Sequence, residues 1–90
     1  MGRPIDAQTA ALGRRFGENL TELRSRVGLS QTATADRAGL HRTEVALVEH
    51  GQRIPRLDTL VKLAGAVEVA PCELLAGMSW RLGTSRGRSW

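Results

Sequence analysis

The sequence predicts an all-α fold, a compact bundle of about five short helices in one domain. Three observations carry that prediction. Leu occurs 12 times and Ala 11 times against 8 Val and Ile together, a ratio that favours helices over strands. Apolar residues recur at spacings of three and four, and no alternating run reads as a strand. Gly or Pro interrupts these periodic segments at short intervals, so each helix is brief. A chain of 90 residues buries only about 60% of its unfolded surface. Its three aromatic residues, Phe16, Trp80 and Trp90, leave the core to aliphatic side chains.

The elements follow in order. Leu12, Phe16, Leu20, Leu23 and Val27 form one helical face, and Gly28 ends the helix as a C′ residue. Gly13 and Gly17 weaken its first turns, which leaves its start open. Ser30 is an N-cap for a short helix over Gln31–Ala38, stopped by Gly39. Leu40 and His41 lead into a third helix, Arg42–His50, stopped by Gly51. After a loop, Pro55 suits the first turn of a fourth helix that carries Leu57, Leu60, Val61, Ala64 and Val67 inward. Pro71 opens a fifth, Cys72–Ala76, ended by Gly77. Residues 1–79 are thus the folded domain, and 80–90 a basic tail expected to be mostly disordered.

Composition narrows the function. A single cysteine, Cys72, allows no internal disulfide and is expected to be a small core residue. No apolar run approaches a membrane span and Met1–Ala11 lacks the apolar stretch of a signal peptide, so a cytoplasmic setting is expected. The net charge is +4, and 12 of the 13 basic residues are Arg. Arg grips phosphates and base edges well, which suggests a nucleic-acid partner; a GC-rich genome would also enrich it. Residues 30–53 are neutral overall, whereas 80–90 carry +3 from Arg81, Arg86 and Arg88. That tail is expected either to lie along DNA phosphates or to be pinned to the fold or a second copy by Trp80 and Trp90.

The second and third predicted helices, joined across Gly39-Leu40-His41, have the spacing of a helix-turn-helix. On a wheel of about 100° per residue, Val45 and Val48 lie within about 40° of His41 and define the buried side. Arg42, Thr43, Ala46 and Leu47 point away from it. Arg can grip guanine, while Thr, Ala and Leu can touch the thymine methyl. Periodicity alone equally fits an ordinary surface helix with one stray Leu.

The residues also carry a resemblance. Leu29-Ser30-Gln31, Ala35, Ala38-Gly39-Leu40, Val45, Val48-Glu49-His50-Gly51, Pro55, Leu57, Leu60, Leu63-Ala64 and Leu74-Leu75 together resemble the lambda repressor/Cro-type (XRE) helix-turn-helix family. The match runs from about Phe16 to Gly77. It implies a lambda repressor-like DNA-binding domain and a sequence-specific regulator, a repressor, binding an inverted-repeat operator as a homodimer. It implies that Gln31 holds a DNA phosphate, that Arg42, Thr43 and Leu47 read bases, and that Glu44 lies near them. It places His41, His50 and Arg53 around the phosphate backbone, and pairs Arg24 with Glu49 to clamp the first helix to the end of the third. Loss of Glu49 would then cost more stability than loss of an exposed acid such as Glu68. The sequence departs from the family at Thr34, where a Leu is usual, and at His41 and Arg56, where a Ser or Thr cap is usual.

An enzyme is not expected. His41 and His50, nine residues apart, face opposite sides of a straight helix, no His or Cys have metal-ligand spacing, and no Gly-rich phosphate loop follows a strand, so no metal or cofactor is implied. The serious alternative is a protein-binding adaptor or antitoxin with a toxin or other partner, using an apolar surface of Leu47, Trp80 and the fifth helix.

Overall fold

A computed structural model describes residues 6–82. Five helices follow one another without a strand among the described residues: α1 (Ala7–Arg26), α2 (Gln31–Ala38), α3 (Arg42–Glu49), α4 (Leu57–Ala66) and α5 (Pro71–Leu74). The α1 helix packs on α3 and α5, α2 packs on α3 and α4, and α4 closes against α5. The core between them is small and aliphatic, as the composition requires. Leu20, Val45, Leu63, Val67 and Leu74 are fully buried, with Phe16, Val48, Ala35 and Ala64 almost so. None of the helices is long and apolar enough to cross a membrane.

The long helix begins earlier than the apolar spacing indicated. Asp6 is its N-cap, accepting a hydrogen bond from the Thr9 N–H at 2.8 Å, so α1 gains a first turn that carries no core residue. Gly13 and Gly17, read as weak points, are both buried where α1 meets the end of α3. A Cβ on Gly17 would overlap the carbonyl oxygens of Val48 and Glu49. Val27, assigned to the apolar face, lies past the helix end and is exposed.

The fourth and fifth helices also differ from expectation. Pro55 precedes α4, whose N-cap is Arg56. Leu57 and Val61 are 77% and 49% exposed, while Thr59, Leu63 and Ala66 face inward. The apolar arc of α4 is wider than the arc the bundle can cover, and these two residues sit on its uncovered edge. The α5 helix is one turn only, and Cys72 on it is exposed rather than a core residue.

The chain does not leave the fold at residue 80. A row of polar side chains on α1 holds the segment after α5. Asn19 Nδ2 donates to the carbonyls of Leu74 and Ala76, both at 2.9 Å, and Arg15 Nε donates to Ala76 at 3.1 Å. The Gln8 amide donates to the Arg81 carbonyl at 2.9 Å and accepts from the Arg81 N–H at 2.8 Å. Trp80 is about half exposed beside this strap. The expectation for the rest of the tail, Trp90 included, concerns residues 83–90 and lies outside the described residues.

One backbone position is under strain. Glu68, just past α4, has φ +65, the left-handed region that α2 reserves for Gly39. Its carboxylate accepts from Arg37 at 2.9 Å, but both side chains are largely exposed, so the pair contributes little. Glu68→Gly should therefore raise stability by up to about 1 kcal/mol, a rise of several degrees in a thermal melt. A lower melting temperature would show that the Arg37 contact outweighs the strain.

Candidate nucleic-acid interface

The second and third helices meet across a turn that the local sequence dictates. The Ser30 hydroxyl accepts from the Ala33 N–H at 3.0 Å and starts α2. Thr34, where a larger apolar residue was expected from the resemblance, is fully buried, and its hydroxyl donates to the Ser30 carbonyl at 2.9 Å. Gly39 then turns the chain with φ +72, and the Leu40 N–H returns to the Ala35 carbonyl at 2.9 Å. No side chain caps α3 at His41. Its place is fixed instead by Val45 and Val48, both buried against α1 and α2.

With its back so anchored, α3 turns its start to solvent. His41, Arg42 and Thr43 are exposed, while Glu44, Ala46 and Leu47 are half-buried. Leu47 is thus less open than the wheel suggests. Just beyond the helix, His50 and Arg53 are exposed. The His50 ring donates through Nδ1 to the Ala46 carbonyl at 2.9 Å, which leaves Nε2 for an outside partner.

Behind this face lies a polar network. Arg24 Nε and Nη2 donate to the two oxygens of Glu49 at 2.5 and 3.0 Å, and Arg24 Nη1 donates to the Leu29 carbonyl at 3.0 Å. The Glu49 side chain is only 4% exposed and that of Arg24 18%. Gln31 Nε2 donates to Glu49 Oε1 at 2.9 Å, while its Oε1 accepts from Arg42 Nη1 at 3.3 Å. Five of the residues singled out from sequence or resemblance therefore group as one chain of contacts or its immediate neighbour: Arg24, Glu49, Gln31, Arg42 and His41. Thr43, Glu44 and Leu47 lie on the same helix without joining it, and His50 and Arg53 gather at its other end.

The network sets the charge states it needs. Burial, the largest single influence on Glu49, would raise its carboxyl, but hydrogen bonds from Arg24, Gln31 and Thr21 and the Arg24 charge together hold it below its ordinary value of 4.5. The hydrogen bond to Glu49 likewise raises Arg24 above its ordinary value despite burial.

The resemblance implied a phosphate contact for Gln31 and gave no sign of its inward bonds, which no spacing reveals. Sequence reasoning also misread the two glycines, although two of them four residues apart on one helical face are a signal of close helix approach. The apolar surface differs as well. A shallow groove is lined by Leu12, Phe16, Ile54, Pro55, Leu60 and Leu75; Leu47 and Trp80 are not part of it. No group of three or more His, Cys, Asp and Glu is placed to hold a metal among the described residues.

Comparison with known proteins agrees with this architecture. The family model described as helix-turn-helix domain matches residues 15–77. Control protein C.BamHI of Bacillus amyloliquefaciens is 36% identical over 61 residues, which cover 67% of this chain and 75% of that protein. The crystal structure of the restriction-modification controller protein C.AhdI from Aeromonas hydrophila is 45% identical with a TM-score of 0.70, covering 72% of this chain and 94% of that one. A Vibrio cholerae transcriptional regulator of the HTH_3 family has a TM-score of 0.72 at 28% identity, covering 76% of this chain and 38% of its own.

Proposed function

The chain belongs to the helix-turn-helix domain family of DNA-binding transcriptional regulators, and from that premise we propose that it is a repressor that binds an inverted-repeat operator as a homodimer. The observation that carries this reading is α3 itself: its back is fixed by Val45 and Val48, and its exposed start presents Arg42 and Thr43. One such helix reads only a few base pairs, so useful specificity takes two, set about 34 Å apart on one DNA face. The open apolar groove and the exposed Ile54, Leu57 and Val61 support self-association. The likeness to controller proteins of restriction–modification systems supports genes of such a system as the target. Sequencing of genomic fragments retained by the protein tests the proposal. A shared inverted repeat is expected; fragments without a common site, or a monomer on DNA by sedimentation, would overturn it.

Within this reading Arg42 and Thr43 read base edges, Leu47 contacts a thymine methyl, and Gln31, His41, His50 and Arg53 face phosphates. Glu44 lies beside the bases. Arg42→Ala should relax specificity at one base pair and cost about 1–3 kcal/mol there. Gln31→Ala should weaken binding to all sequences alike, because phosphates carry no sequence information. Identical losses for both variants across a panel of operator mutants would refute this division of roles. Because Gln31 bonds Arg42, the two losses should add incompletely in the double variant.

A further inference from the structure

We propose that Arg14, on α1, is a phosphate-contacting residue that works with Arg53 to hold the DNA backbone at the far end of the recognition helix. The inference rests on the DNA-binding reading above and adds a residue outside the 15–77 segment that the family model matches.

The placement is set by Gly51. Its left-handed turn, φ +73, ends the segment after α3 and lies directly against Arg14: a Cβ there would stand 3.2 Å from Arg14 Cγ and 3.3 Å from its Cα. The stem of Arg14 is thereby laid on the turn between His50 and Arg53. The side chain is exposed and makes no hydrogen bond or ion pair to another described residue. Its neighbour Arg15 differs: it is turned to Ala76 and lies 4.0 Å from Glu18. Glu49, two residues before Gly51, is already bonded by Arg24 and Gln31.

Two physical arguments give this cluster its partner. The carboxyl end of α3 carries partial negative charge, so a phosphate strand passing there is repelled unless cations offset it; the exposed Arg14 and Arg53 are groups that can. Further, α3 has eight residues and spans about 12 Å, the width of the major groove. With Gln31 and His41 set at phosphates beside its start, Arg14 and Arg53 at its end are spaced to meet the backbone on the other side of the groove. A guanidinium on a stem braced by Gly51 needs little ordering to do so.

Phosphate contacts are independent of sequence, so a random-sequence duplex serves as the probe. Binding of the full chain is measured across roughly 50–200 mM salt, the range in which such contacts are read. Arg14→Gln should flatten the dependence of log K on log salt by about 0.9 per protomer and leave the melting temperature unchanged. Arg14→Lys should keep the slope, since the charge remains. Arg15→Gln, the same loss of charge one residue along and on another face, should keep it too. An unchanged slope in Arg14→Gln overturns the inference, as does equal flattening by Arg15→Gln, which would mark a net-charge effect. Failure of the unaltered protein to bind any duplex would remove the DNA-binding reading itself, an outcome seen without any variant.

Discussion

Gly17→Ala should destabilise the protein by about 3 kcal/mol, the upper end of what overpacking a core costs, although alanine is the better helix former by about 1 kcal/mol. The added methyl group would meet the carbonyl oxygens of Val48 and Glu49, which are backbone and cannot swing aside. Either α1 and α3 separate, opening the core around Phe16 and Val48, or the end of α3 unwinds. Gly65 supplies the contrast. It lies inside α4, and a Cβ there meets nothing within 4 Å. Gly65→Ala should stabilise by roughly 0.5–1 kcal/mol. Chemical denaturation of both variants would measure the two effects. Opposite signs are expected from one and the same substitution; stabilisation by Gly17→Ala would show that the helices are not in backbone contact there.

Glu49→Ala is the second large effect, a loss of about 3 kcal/mol. It strips Arg24 of both its carboxylate bonds while leaving that cation mostly buried, and it frees the Gln31 amide. The surface reference should be Glu18→Ala, whose carboxylate lies only in a long, exposed contact with Arg15. Glu68 is unsuitable as that reference, because its substitution also changes a left-handed backbone position and the Arg37 pair. Equal melting temperatures for the Glu49 and Glu18 variants would show that the Arg24–Glu49 pair carries no net stability. The same carboxyl gives a pH dependence. Its folded value lies below the ordinary 4.5, so its contribution is complete above about pH 4.5 and is lost as pH falls through the lower folded value. Glu49→Gln should flatten the acid limb of a stability–pH curve.

The helices were legible because their signals are local. Ser30 and Gly39 bound α2, and the spacing of Phe16, Leu20 and Leu23 marks the face that α1 buries. What escaped depends on partners far along the chain. Whether Leu57 and Val61 are covered depends on how much of α4 the other helices can wrap, which periodicity does not encode. Gly17 reads as a weak helical residue until Glu49 is laid across it. Gln8, Arg15 and Asn19 look like ordinary solvated positions, yet they hold backbone groups more than fifty residues away. At the candidate interface the resemblance supplied roles for single residues, whereas the bonds joining Gln31 to both Glu49 and Arg42 are visible only in three dimensions.

The Gln8–Arg81 pairing has a topological consequence. It brings the amino-terminal end of α1 and the chain after α5 to one pole of the molecule. That pole is 16 residues, or about 24 Å, along α1 from Arg24 and the network behind the recognition helix. A circular permutant that links residue 82 to residue 6 by a short tether would preserve every helix and leave the network behind the start of the recognition helix untouched. Reporter groups grafted before Asp6 or after Leu82 would share a single docking point at the end of α1 away from Arg24 and the start of α3, whichever end carried them.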